Sequence, residues 1–204
     1  MLIALMGLPS SGKTSTTRAL GQRLGARVFL EPEEDQWPSL VHERQTIGFF
    51  TALTWFRSAR VPDLYTAESE SHGGGTTIVD CYYDKLVSLY MGEACFSWLI
   101  PAGDPYFAAA RQMAETDYHR LPVADVLVFL RLDESTWLRF MERRGRRFDH
   151  EAGLARQFEM QSHLERACMH ASKELGMRLI VTAQTWDSPE ITASLVEERL
   201  MSSS

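Results

Sequence analysis

The most constraining feature of the chain lies in its opening residues, MLIALMGLPSSGKTSTTRAL. An apolar run leads directly into Gly7-Leu8-Pro9-Ser10-Ser11-Gly12-Lys13-Thr14, which fits the pattern GxxxxGK[ST]. The run at 2–6 predicts a buried strand, and residues 14–24 predict the helix after it, with Gly25 as its stop. A strand, a small polar loop and a helix in that order make a phosphate cradle. Glycines let the backbone approach an anion closely. Successive N–H groups and the helix N-terminus then face that anion. The lysine of the pattern reaches β- and γ-phosphates, and the hydroxyl beside it suits Mg²⁺. Gly7, Ser10, Ser11, Gly12, Lys13, Thr14 and Ser15 are therefore the expected ATP-binding residues, with Lys13 facing solvent when no ligand is bound.

The rest of the chain alternates in the same way. Short apolar runs at 27–30, 76–80, 124–130 and 177–182 predict four more buried strands, each bounded by Gly, Pro or polar residues. Helical patterns occupy 48–60, 86–98, 105–119, 135–144 and 154–175. Val61-Pro62 marks the end of the first of these. Ser188-Pro189-Glu190 reads as an N-cap and first-turn proline opening a last helix through Leu200. The stretch 67–77, AESESHGGGTT, is the most loop-like, and Ser202-Ser203-Ser204 reads as a frayed tail. Alternating strands and helices imply an α/β protein, a parallel sheet covered on both faces.

With 204 residues, 45% of them hydrophobic, the chain supplies one well-filled core, so residues 1–204 are expected to form a single domain. A net charge of −6 gives no broad basic field, so nucleic acid is not an expected partner. No apolar stretch approaches the ~20 residues that span a bilayer, so no membrane partner is expected either. Cys81, Cys95 and Cys168 form no CxxC pair, which argues against a disulfide framework or a zinc site and for a reducing, cytoplasmic setting.

Three further features carry chemistry. Glu31-Pro32 ends the second expected strand, placing a carboxylate at the end of the sheet that faces the phosphate loop. Asp80 ends the third. Basic residues cluster once, at Arg143-Arg144-Gly145-Arg146-Arg147, within an expected lid at about 141–153 that could close on a triphosphate and exclude water. Competing structural readings exist: Glu31 as a solvated strand-end acid, Asp80 as a turn former, Trp37 as core, and the arginines as a helix end complementing its dipole.

With these pieces in this order, the sequence resembles the deoxynucleoside kinase and thymidylate kinase superfamily of P-loop kinases over nearly its whole length. Glu31-Pro32 with Trp37 is similar to that group's EP motif. Phe49-Phe50-Thr51-Ala52 with Arg57 resembles its FQTY…R helix, and Asp80-Cys81-Tyr82-Tyr83-Asp84 its ERS or DRY motif. Arg144-Gly145-Arg146 is similar to the RGR of its lid. The resemblance implies a five-stranded parallel sheet in the order 2-3-1-4-5, flanked by helices, and an ATP- and Mg²⁺-dependent transfer of phosphoryl to the 5′-hydroxyl of a nucleoside-like acceptor. It implies Glu31 as the proton acceptor, and Glu31, Trp37, Phe50, Arg57, Asp80 and Tyr82 around the acceptor. Thr14 and Asp80 would hold Mg²⁺, and Lys13, Arg143, Arg144 and Arg146 the donor phosphates, with Lys13, Arg144 and Arg146 acting in catalysis. A homodimer is compatible with it. The chain departs from the pattern at Cys81 and Leu30, where arginines would stand, and at Phe50, in place of a base-reading glutamine. Missing arginines favour a neutral acceptor over a monophosphate. The alternatives are a thymidylate-type monophosphate kinase, a kinase of another hydroxylated small molecule or modified base, and a regulator that binds NTP and signals through conformation.

Overall fold

In the computed structural model, residues 1–146, 148–149, 153–154, 157–186 and 188–202 are described. Strands β1 (Leu2–Gly7), β2 (Arg27–Phe29), β3 (Thr77–Val79), β4 (Val126–Arg131) and β5 (Arg178–Ala183) form one sheet in the order β2-β3-β1-β4-β5. All four pairings are parallel, with β1 central between β3 and β4. Strand alternation divides the core in two. Leu2, Ala4 and Met6 of β1 face one helical layer, and Ile3 and Leu5 face the other. The second layer contains helix α1 (Lys13–Leu24) and the last helix, Pro189–Met201, through Leu20, Ala193 and Val196.

The first layer is larger and contains the crevice described below. Two four-residue turns of helix, α2 (Ser39–His42) and α3 (Arg44–Ile47), precede the long α4 (Phe49–His72). Here the structure corrects two expectations. Val61-Pro62 does not end α4, and residues 67–72 are helix rather than loop. Pro62 forfeits one backbone donor. Burial of Leu64, Ala67 and Ser71 nevertheless carries the helix past it, and the Thr66 hydroxyl donates to the Pro62 carbonyl at 2.9 Å. The stop comes instead at Gly73, Gly74 and Gly75.

A third correction concerns 86–98. Gly92 takes φ +99°, which breaks a continuous helix. The segment folds as α5 (Tyr83–Leu86) and short 3₁₀ turns at Val87–Leu89 and Ala94–Phe96. Beyond it, α6 (Phe107–Arg120), α7 (Glu134–Arg144) and the helix Met160–Leu175 follow the expected pattern, with shifted ends. Of the expected lid, Arg147, His150, Glu151 and Ala152 lie outside the described residues. Ala155 and Arg156 of the expected 154–175 helix, and Ser203 and Ser204 of the expected tail, do also.

Candidate active site

The loop Gly7 to Lys13 wraps over the C-terminal end of β1, and Gly12 opens α1 in the left-handed region at φ +79°. The backbone conformation there favours glycine, and a Cβ at Gly12 would also press on the Gln184 amide at 2.9 Å, the movable end of that side chain. Ser10, at φ +58°, is the one non-glycine residue with positive φ among the described residues. Such strain concentrates at functional sites. Ser10 Oγ donates to Asp149 Oδ2 at 3.0 Å and accepts from Arg144 at 3.2 Å. The Ser11 hydroxyl is enclosed without a partner, whereas Ser15 is exposed on the first turn of α1.

Lys13 is buried, not solvent-facing as the sequence suggested. Its ammonium donates to the Leu8 carbonyl at 2.9 Å and to the Tyr83 hydroxyl at 2.8 Å, and Tyr83 in turn donates to the Gly7 carbonyl at 2.6 Å. The curled loop supplies acceptors that hold the charge in place. Burial lowers the Lys13 pKa from its ordinary value, against the opposing pull of Glu31 and Asp80.

Asp80, at the end of β3, accepts from the Thr14 hydroxyl at 2.7 Å and from the Glu31 backbone N–H at 2.9 Å. Burial and the neighbouring Glu31 charge push its carboxyl up to about 6. The paired Thr14 and Asp80 oxygens are hard donors of the kind Mg²⁺ takes, one or two from protein and the rest from phosphates and water. These residues fit a Mg²⁺–triphosphate.

Glu31 follows β2 and is half-buried. Its Oε1 accepts from Arg60 of α4 at 2.8 Å, and the same guanidinium forks onto Asp84 at 2.7 and 2.9 Å. Burial alone would raise the Glu31 pKa, but Arg60 and Lys13 outweigh it and hold the carboxyl below its ordinary value. Cys81 lies against this pair, where burial and the Glu31 charge push the thiol well up.

A crevice of about 990 Å³, open mouth included, runs from Ser10 and Lys13 past Glu31 and Arg60 into an aromatic interior with Phe56, Tyr90, Phe96 and Trp98. Trp37 forms one wall, edge-on to Phe56 at 5.0 Å and to Phe148 at 5.3 Å, with the Arg146 guanidinium 5.0 Å from its ring. Arg144 and Arg146 line the mouth and share Glu33.

The structure therefore brings Lys13, Thr14, Glu31, Trp37, Asp80, Arg144 and Arg146 together around one loop and crevice. Four other sequence candidates stand elsewhere. Arg57 is bound by Asp117 of α6 at 2.5 and 2.7 Å. Phe50 stacks on Tyr106 at 5.6 Å, outside the crevice lining. Tyr82 is core, its hydroxyl donating to Pro122 O at 2.7 Å and accepting from Ala124 N–H at 2.9 Å. Arg143 lies over Trp186, 5.0 Å from the ring centroid. Sequence reasoning gave no role to Arg60, Asp84, Tyr90 and Asp149, and left Tyr83 open between packing and substrate contact. For Arg60 a signal existed: it stands one helical turn beyond Arg57.

No family model matches the sequence, and no curated protein matches it. Solved structures do. Deoxyadenosine kinase from M. mycoides with bound dATP superposes with a TM-score of 0.72 at 17% identity, covering 98% of this chain and 98% of that one. The same enzyme with products dCMP and a flexible dCDP gives 0.71 at 17% identity, over 99% and 100%. Thymidylate kinase from Ehrlichia chaffeensis gives 0.58 at 16% identity, over 98% and 98%. The fold is that of the P-loop nucleoside and nucleotide kinases. Its five-stranded order and parallel pairing are those the sequence implied. No helix among the described residues is long and apolar enough to cross a membrane.

Proposed function

We propose that the protein is an ATP-dependent kinase that transfers the γ-phosphoryl group to the hydroxyl of a neutral nucleoside-like acceptor. The observation that carries this reading is Glu31. It is a half-open carboxylate kept ionised by Arg60 and Lys13, in the crevice that also contains the glycine-rich loop. In the transfer the acceptor O–H bond breaks and its proton passes to Glu31. A bond forms from the acceptor oxygen to Pγ, and the bond from Pγ to the β–γ bridging oxygen breaks, leaving ADP. Lys13, Arg144 and Arg146 neutralise the charge on the transferring group. Thr14 and Asp80 would hold Mg²⁺, which would supply positive charge against the phosphates. Trp37 walls the acceptor side and excludes water. The cytoplasmic setting expected from the sequence is part of the same proposal.

A thymidylate-type monophosphate acceptor is disfavoured by Arg60. That guanidinium is already shared by two carboxylates, Glu31 and Asp84, so it offers no spare charge to an incoming phosphate. The test is ADP release measured with and without each member of a panel of nucleosides and nucleoside monophosphates. Release that depends on nucleosides is expected. Preference for monophosphates moves the reading to the thymidylate type, and release independent of any acceptor moves it to an NTP-binding regulator.

A further inference from the structure

Phe50, where the sequence pattern leads one to look for a base reader, lies outside the crevice lining. Some other group must then read the polar edge of whatever ring enters. The polar side chains lining the crevice are, with one exception, already engaged. Glu31, Arg60 and Asp84 hold one another, Lys13 and Tyr83 hold the glycine-rich loop, and Ser10 is shared by Asp149 and Arg144. Trp37 Nε1 donates to the Pro32 carbonyl at 2.9 Å, and Trp98 Nε1 to the Met160 sulfur at 3.3 Å. Arg44 is engaged too, its guanidinium lying over the Phe148 ring at 4.0 Å.

The exception is Tyr90. It is 2% exposed and lines the aromatic interior, with its ring against Phe96 at 4.5 Å. Its hydroxyl makes no hydrogen bond among the described residues, yet it is not one of the fully enclosed atoms that lack a partner. It opens on the crevice, within electrostatic reach of Cys81, Asp84 and Arg60. A phenol both donates and accepts, and it finds a partner when buried. Leaving one unpaired in an apolar chamber costs free energy that a ligand recovers by bonding to it.

We infer that Tyr90 is the specificity residue of the acceptor pocket, reading by one hydrogen bond the polar edge of an otherwise apolar-packed ring whose hydroxyl arm lies at Glu31. The inference rests on the kinase reading for the identity of the ligand but not for the role of Tyr90. The acceptor class is a flat heteroaromatic ring, stacked among Phe56, Phe96 and Trp98, that carries a hydrogen-bonding substituent.

The test compares the full chain with Tyr90→Phe, which removes the hydroxyl and keeps the ring. Acceptors are the four natural 2′-deoxynucleosides and two counterparts that lack the 6-substituent of the purines or the 4-substituent of the pyrimidines, purine 2′-deoxyriboside and 2-pyrimidinone 2′-deoxyriboside. Turnover and equilibrium binding, followed by tryptophan fluorescence, are both measured. For the preferred nucleoside, kcat/KM and affinity should fall by about threefold to tenfold, the scale of one neutral hydrogen bond. The fall should appear in KM rather than kcat, and the counterpart lacking that substituent should change less than twofold. An equal loss on every acceptor, or unchanged selectivity, overturns the role of Tyr90 while leaving the kinase reading intact. Binding that is sensitive to Tyr90→Phe without any turnover overturns the kinase reading and upholds Tyr90. Neither binding nor turnover of any panel member overturns both.

Discussion

At the residue scale, the chemistry concentrates on a cluster of opposite charges that share burial. Glu31 is the base candidate because an alcohol is a poor nucleophile until its proton has somewhere to go. Glu31→Gln keeps the shape and removes the charge. We expect kcat to fall by roughly 10²–10⁴, the usual contribution of general base catalysis, with ATP affinity within a few-fold. Near-normal turnover of the folded variant would show Glu31 to be a solvated strand-end acid. Arg60 and Arg57 give a paired contrast. Arg60→Gln strands the buried Asp84 and the half-buried Glu31 carboxylates, so denaturant unfolding should register a loss of about 3 kcal/mol together with lost turnover. Arg57→Gln breaks the link between α4 and α6, in which the guanidinium is partly exposed and its partner Asp117 is buried. It should cost about 1–2 kcal/mol and leave the acceptor KM within twofold. Equal catalytic damage from both would contradict the placement of Arg57 outside the pocket. Lys13→Ala should lower turnover on the order of 10²-fold or more, as loss of one transition-state charge contact does. That Lys13, Glu31 and Asp80 stand at one end of the sheet was legible because motif and strand ends fix where the chain places them, but the inward turn of the Lys13 ammonium onto Leu8 and Tyr83 was not. Choosing between two arginines a turn apart was not, because Asp117 on one side and Glu31 with Asp84 on the other make that choice. Those partners lie far off in sequence.

At the element scale, α7 ends on Arg144 at the mouth and leads through Gly145 to Arg146, and its start is well specified. Asp133 caps it, accepting from the Thr136 N–H at 2.8 Å and from the Ser135 and Thr136 hydroxyls. Those three donors, led by Ser135, hold the carboxyl down at about 2. The depressed value sets the sign: the cap's contribution is present above the ordinary carboxylate pKa and is lost as pH falls through about 2. Asp133→Ala should cost about 1 kcal/mol at pH 7 in chemical denaturation. The cost should shrink as the pH is lowered below 4, and a cost that stays constant to pH 2 would contradict the charged cap. Both ends of α7 fall within a residue of the 135–144 expected from the sequence, with Asp133 as the N-cap and Gly145 as the left-handed C-cap. By contrast, α4 outran its proline because burial of Leu64 and Ala67 outweighed one missing donor. Segment 86–98 broke because Gly92 adopts a conformation that its neighbours' apolar pattern does not announce.

At the scale of the whole molecule, the parallel sheet was legible because strands alternate with helices along the chain, whereas the strand order came from the resemblance rather than from the pattern itself. What could not be read was the contact between the glycine-rich loop and the basic segment, which are more than a hundred residues apart. Two contacts carry it: the Trp137 indole donates to the Pro9 carbonyl at 2.7 Å, and Asp149 holds the Ser10 hydroxyl. Asp149 is a buried acid placed against the glycine-rich loop, which the proposed function assigns to phosphate. Burial raises its pKa despite Ser10 and Arg144, so its charge is poorly compensated there. A triphosphate brings further negative charge to the same loop, and it competes with Asp149 for Ser10, Arg144 and Arg146. Asp149→Asn keeps a hydrogen-bond acceptor for Ser10 but removes the repulsion and releases the arginines toward phosphate. MgATP should therefore bind about threefold to tenfold more tightly, the scale of a partly screened charge pair worth about 1 kcal/mol. Raising the salt concentration should narrow the difference between the variant and the parent chain, because screening weakens the repulsion that the substitution removes. Calorimetric titration at two ionic strengths measures both effects. Weaker binding by Asp149→Asn would mean that the carboxylate organises the loop for its ligand rather than standing in the ligand's way.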